Sequence, residues 1–267
     1  INPETINLQL NTLPEYLILA PDNFENAALN LKSLHQNEID EQFRLQTEIY
    51  LISNILDEIS STLNYLTSQE ITNFLTQKIN ENPSLKYLLI FGDETYFPPQ
   101  TYGSIPSDDL YTWNQNNYPQ LATGRIPVSE SFEAEIVVDK IRNYLLNPQP
   151  GIWRQKIALV ADDHRHPDNS TNNEFRHTTN SEDIMHLLKN DVHLHTFNGS
   201  EYEPAPGSGW ITLPQMTSDL IQTINSGVAI LNYIGHGSPT TLAHEQIIDM
   251  NRDLSIINPE QGKEAIW

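Results

Sequence analysis

The chain has 267 residues, enough for one large domain or two small ones with a sizeable core. It carries 35 Asp and Glu against 14 Lys and Arg, a formal charge of -21, and such a surface repels nucleic acid and anionic membranes. No stretch approaches the ~18 consecutive apolar residues of a membrane span, and with no cysteine, disulfides say nothing about compartment.

In chain order, Glu15 to Ala20 reads as a buried strand, followed by a helix over 24–36 with Phe24, Ala27, Ala28, Leu31 and Leu34 on one face. Phe43 to Leu51 is expected as a strand and Asn54 to Leu66 as a helix. Thr67 with Glu70 has capping-box spacing, opening a helix whose buried face is Ile71, Phe74, Leu75 and Ile79. Tyr87 to Phe91 is the clearest strand of the first half and ends at Gly92-Asp93-Glu94. A proline-rich loop leads to a short strand within Leu121 to Pro127. Ser129 then caps a helix to Leu146, with Ile136, Val137, Lys140, Ile141, Tyr144 and Leu145 on one side.

Asn147-Pro148-Gln149-Pro150-Gly151 breaks both helix and strand and sets the expected boundary between subdomains 1–147 and 148–267. Beyond it the pattern restarts. Lys156 to Ala161 reads as a buried strand ending in Asp162-Asp163, and a helix from 174 or 180 to Lys189 precedes a strand from Val192 to Phe197. Thr212 with Gln215 has a second capping-box spacing, opening a helix to Asn225. Val228 to Ile234 is nearly all apolar and suits a strand buried on both faces of a parallel sheet. Ala265-Ile266-Trp267 resembles the first residues of a further strand. Strands alternating with helices imply an α/β fold with mainly parallel sheets flanked by helices.

The apolar run ends at Gly235-His236-Gly237. Ligands of open parallel sheets bind outside the carboxyl ends of the strands, so His236 stands where a catalytic histidine would. A turn that merely contains a histidine is the other reading. His193 and His195 are spaced to share a strand face. They, or His164 and His166, with Asp162, Asp163 and Asp168, are candidate zinc ligands, against the simpler reading of surface histidines. His177, His186 and His244 read as surface residues.

The ordered set Leu-Ile-Phe-Gly-Asp (89–93), Pro-Ser-Asp-Asp-Leu-Tyr (106–111), Gly-Arg-Ile-Pro (124–127), Trp153, Val-Ala-Asp-Asp (160–163) and Asn-Tyr-Ile-Gly-His-Gly-Ser (232–238) resembles the gingipain-type (C25) cysteine peptidases, over roughly residues 15–267. The resemblance is strongest to the sortase branch of the type IX secretion system of Bacteroidota. It implies a caspase-like fold of two adjoining α/β subdomains and a Cys-His pair. His236 matches the catalytic histidine and Gly237 the glycine whose N–H serves the oxyanion hole. Asp162 and Asp163 lie where the family places an acidic partner for the histidine, Asp163 being favoured. Glu174 falls near the acid that selects a basic substrate side chain. Asp93, Asp108 and Asp109 also match motif positions, with structural or calcium-binding roles at least as fitting as catalysis; the resemblance implies no required cofactor and is compatible with structural calcium.

The same branch implies cleavage of C-terminal sorting domains from secreted cargo at the cell surface, with other type IX components as partners and no nucleic acid. The family nucleophile is missing from the chain. From Ile1-Asn2-Pro3 to Ile266-Trp267 it reads as an interior piece of a longer protein, with the Cys expected a few residues past Trp267; Ser238 is too near His236 to replace it. Two alternatives stay open: a metal-dependent hydrolase using Asp162, Asp163 and His236, and a non-catalytic module presenting an acidic surface.

Overall fold

The structure, a computed structural model, describes residues 13–164, 175–207, 211–260 and 262–267. The chain divides into two compact units, Ile1–Leu146 and Asn147–Trp267.

The first unit is built on a parallel sheet of β1 (Tyr16–Ala20), β2 (Thr47–Leu51), β3 (Tyr87–Phe91) and β4 (Ala122–Ile126), in the order β2-β1-β3-β4. Its helices are α1 (Glu25–Ser33), α2 (Ile52–Glu58), α3 (Ser68–Glu81) and α4 (Ser131–Leu146). Strand side chains alternate between faces, and both faces are covered. Leu17, Leu19, Leu88 and Ile90 pack with Phe74 and Leu75 of α3. Ile18, Ala20, Leu89 and Phe91 pack with Ala28 and Leu31 of α1 and with Ala134 and Val138 of α4. Each fully buried Leu, Ile or Phe contributes about 1.5–3 kcal/mol. Thr67 caps α3 as its spacing predicts: its hydroxyl accepts from Glu70 N–H at 3.2 Å, and the Glu70 carboxylate accepts from Thr67 N–H at 2.9 Å.

Three sequence expectations shift here. The second strand starts at Thr47 rather than Phe43, because Glu41–Phe43 forms a 3-10 turn begun by Asp40, whose carboxylate accepts from Gln42 N–H at 3.4 Å. The helix expected over 54–66 is α2, which closes within two residues of Glu58 at Ser60, held at a left-handed φ of 54°. The buried face of α4 is Ala134 and Val138, with Ile141 partly buried against the same core, while Ile136 is 61% exposed.

The second unit holds β5 (Lys156–Ala161), α5 (Arg176–Leu188), β6 (His193–Asn198), α6 (Pro214–Ser226) and β7 (Ile230–Ile234). The sheet is parallel, in the order β7-β5-β6. A two-residue antiparallel pair, β8 (Thr241–Leu242) with β9 (Ile248–Asp249), and the short α7 (Met250–Asp253) follow. The core is the α6 stripe Met216, Leu220, Ile221 and Ile224 against Ala158, Val160 and Leu231.

β5 is the buried central strand, and β7, expected to be buried on both faces, buries only Leu231. Apolar content alone does not separate a central strand from its neighbour. The second capping box does not form. Thr212 instead joins a short pairing of Ala205–Pro206 with Ile211–Thr212, its hydroxyl donating to Ala205 O at 3.3 Å, and Pro214 opens α6. On the far side of β7, Ile266 pairs with Ile230 in parallel: Ile266 N–H donates to Ala229 O at 3.0 Å and Leu231 N–H to Ile266 O at 2.8 Å.

Candidate active site

Parallel pairing puts the carboxyl ends of β5 and β7 at one level, with Ala161 opposite Ile234. Asp162 continues the ladder, its N–H donating to Ile234 O at 3.0 Å. The chain beyond β7 then turns over it. Gly235 makes this turn possible, because a Cβ there would overlap Asp162 Cβ and the Tyr233 hydroxyl. The Tyr233 hydroxyl donates to His236 O at 2.6 Å, and Ala243 N–H donates to the same oxygen at 2.8 Å. These bonds hold the His236 backbone from two sides.

The side chains meet in the same place. Asp162 Oδ2 accepts from His236 N–H at 2.9 Å and lies 2.9 Å from the ring Nδ1. Asp162 Oδ1 accepts from Asp163 N–H at 2.9 Å. The Asp162 side chain is 2% exposed and that of His236 is 40% exposed. A buried carboxylate on Nδ1 selects the tautomer that carries hydrogen there. Asp162, rather than the favoured Asp163, is thus the residue placed on the ring. Its neighbour is buried against Gly199, where an added Cβ would sit 3.0 Å from Asp163 Cβ and from its backbone nitrogen.

Gly237 follows with its N–H given to no acceptor among the described residues, although the next amide, Ser238 N–H, donates to Thr241 O at 2.9 Å. An unspent N–H beside the histidine suits an oxyanion hole. Ser238 spends its hydroxyl in the turn, 2.8 Å from Thr241 Oγ1 and accepting from Thr241 N–H at 3.1 Å. A cavity of about 370 Å³ opens here, lined by His236, Gly237, Thr241, His244, Gln246 and Asp249 among others.

Other expected residues are accounted for differently. Glu174, His166 and Asp168 lie outside the described residues. Asp108 accepts from Arg125 Nε and Nη2 at 2.8 and 2.7 Å, while Arg125 also donates to Gly92 O and Phe97 O. Its carboxylate therefore ties the loop to the sheet. Asp93 caps its own turn, accepting from Thr95 N–H at 3.0 Å and from the Thr95 hydroxyl at 2.6 Å. His193 and His195 stand on β6, and neither belongs to a metal-competent group among the described residues.

His177 and His244, expected as surface residues, and Glu245, which no sequence pattern singles out, converge on the site. The His177 ring meets His236 edge-on with centroids 5.0 Å apart, and His244 lies at 4.9 Å. Glu245, 2% exposed, brings its carboxylate within 4.8 Å of those of Asp162 and Asp163. Asp162, His177 and His236 also hold ligand-type atoms within 4.8 Å. The Asp162 oxygens, however, are taken up by His236 and Asp163, and His236 Nδ1 is taken up by Asp162.

The model of peptidase family C25 matches residues 9–262. The chain belongs to peptidase family C25. An uncharacterized protein of Archaeoglobus fulgidus is 24% identical over 247 residues, covering 85% of this chain and 57% of that protein. The crystal structure of the Arg-specific cysteine proteinase gingipain R superposes with a TM-score of 0.64 at 18% identity, over 89% of this chain and 50% of that one. The dimeric latent PorU of Porphyromonas gingivalis is a more distant likeness, with a TM-score of 0.40 and 14% identity over 85% of this chain and 20% of that one. This C25 chain has the gingipain fold, and it spans about half the length of the Archaeoglobus fulgidus protein and of gingipain R.

Proposed function

We propose that this C25 chain carries the histidine half of a cysteine peptidase site. The observation that carries the reading is Asp162, buried and bonded to both the backbone N–H and the ring of His236. In this mechanism Asp162 orients the ring and stabilises its cation. His236 Nε2 takes the proton of a cysteine thiol, and the thiolate attacks the substrate carbonyl. The developing oxyanion takes the Gly237 N–H. The imidazolium then protonates the departing amine, leaving an acyl-enzyme.

The thiol comes from outside these 267 residues, which contain no cysteine. Ile266 already runs parallel to β7 opposite Ile230. A strand continuing in that register reaches the level of His236 about five residues past Trp267. Parallel neighbours bring their carboxyl ends together, which puts a cysteine there beside the imidazole. The described chain alone is inactive on this account.

The motif set supports the finer reading of a sortase. The acyl-enzyme is passed to an amine rather than to water, so that cargo loses its C-terminal sorting domain and is attached at the outer face of the outer membrane, with other type IX components as partners. The test is cargo processing by the whole protein. His236→Ala should lower it on the order of 10³-fold or more, as for a member of a catalytic unit. Near-normal processing would remove His236 from the chemistry, and loss on chelation with His236→Ala tolerated would favour a metal-dependent hydrolase.

A further inference from the structure

Glu245 sits in the tight connection between β8 and β9. It is 2% exposed, and its Oε2 has no hydrogen-bond partner among the described residues. The connection is strained: Ala243 and Gln246, neither of them glycine, adopt left-handed φ values of 63° and 52°. Each such residue is unfavourable and persists only where its surroundings over-determine it. The strained turn thus drives an acid inward, against two others.

The groups facing Glu245 among the described residues are Asp162 and Asp163 beyond β5 and the Tyr233 hydroxyl on β7; His236 stands on Asp162, with the His244 ring beside it. Asp162 is held facing Glu245 by contacts with the Asp163 N–H, the His236 N–H and the His236 ring Nδ1. Three carboxylates this close and this dry do not all ionise. A carboxyl that keeps its proton brings a donor to a cluster of acceptors, whereas a carboxylate adds a further negative charge beside Asp162.

We propose that Glu245 is a positioning residue of the His236–Asp162 pair: it retains a proton, donates it to the Asp162–Asp163 carboxylates, and so fixes Asp162 against the ring. This deepens the reading of His236 and Asp162 as the catalytic pair and rests on it. When Glu245 ionises, its proton passes to solvent, the donor is lost, and repulsion loosens the carboxylate that holds the imidazole. Burial and the two neighbouring aspartates push the Glu245 carboxyl up to about 7, so the change falls near neutrality.

The test follows the His236 Cε1 proton resonance by NMR on the chain itself from pH 5 to 9, assigned by its loss in His236→Gln. The wild-type resonance should respond in two steps, the second following Glu245 as in coupled sites. Glu245→Gln, which keeps a donor at every pH, should give one step with the Nδ1–H tautomer retained above it. Glu245→Met, similar in length but without a donor, should give one step with that tautomer lost. A second step that survives in Glu245→Gln would belong to His177 or His244 and would overturn the proposal. So would a wild-type curve identical to that of Glu245→Gln. Collapse of the wild-type second step on adding calcium or zinc chloride, absent in Glu245→Gln, would show a cation in place of the proton and would equally overturn it. The readout needs no catalysis, so failure of the peptidase reading itself is seen separately, in cargo processing by the whole protein.

Discussion

Which of two adjacent aspartates serves His236 is decided by backbone geometry. Asp162 and Asp163 are equally buried, but the turn after β5 aims the Asp162 carboxylate at the ring and uses the Asp163 N–H to hold it there. Asp162→Asn should therefore lower turnover by the whole protein by about 10²–10⁴-fold, because an amide stabilises the wrong tautomer. Asp163→Asn should cost less. Comparing kcat/KM for the two variants checks the order, and a larger loss for Asp163→Asn would reverse the assignment. Gly235 is the other residue on which the site turns. Gly235→Ala forces a Cβ into Asp162 and Tyr233, and overpacking of this kind costs about 1–3 kcal/mol. Thermal unfolding should show that loss; an unchanged melting temperature would mean that the loop shifts freely.

At the scale of elements, the site is two strand ends and a hairpin. The strand ends were legible in the sequence, since Lys156–Ala161 is a dense apolar run and Gly235-His236-Gly237 punctuates another. The choice between Asp162 and Asp163 was not, because adjacent residues share every local signal. His177, His244 and Glu245 were not legible either. They lie on a polar helix and in a turn without periodicity, and only packing carries them to His236. The hairpin carries its own pH dependence. The Glu245 carboxyl ordinarily titrates near 4.5 and is raised to about 7 here, chiefly by burial. The folded state therefore binds more protons than the unfolded state across this window. The stability contributed by Glu245 is full below pH 4.5 and is lost as pH rises through 7. Glu245→Gln should abolish that component in melts taken between pH 4.5 and 8, and an equal slope in the variant would assign it to another group.

At the scale of the whole molecule, the alternating pattern of strands and helices predicted the α/β class, and the fold shared with gingipain R carries it. The strands β1 and β3 of the first unit were also readable, because both of their faces are apolar and buried. Strand order was not, since β5 and β7 differ little in composition and only topology makes β5 central. The outer edge of β7 from Asn232 to Ile234 has no strand beside it among the described residues, and Ile266 has begun one in parallel. An open edge of this kind is a ready template for a further strand.

That edge makes reactivity of the proposed cysteine in the whole protein the most direct measurement. A thiol-reactive peptidyl probe should label a single cysteine about five residues past Trp267. The rate of labelling should fall steeply in His236→Ala and less in Asp162→Asn. A labelled cysteine elsewhere, no cysteine near that position, or labelling indifferent to His236 would contradict a thiol activated by the His236–Asp162 pair.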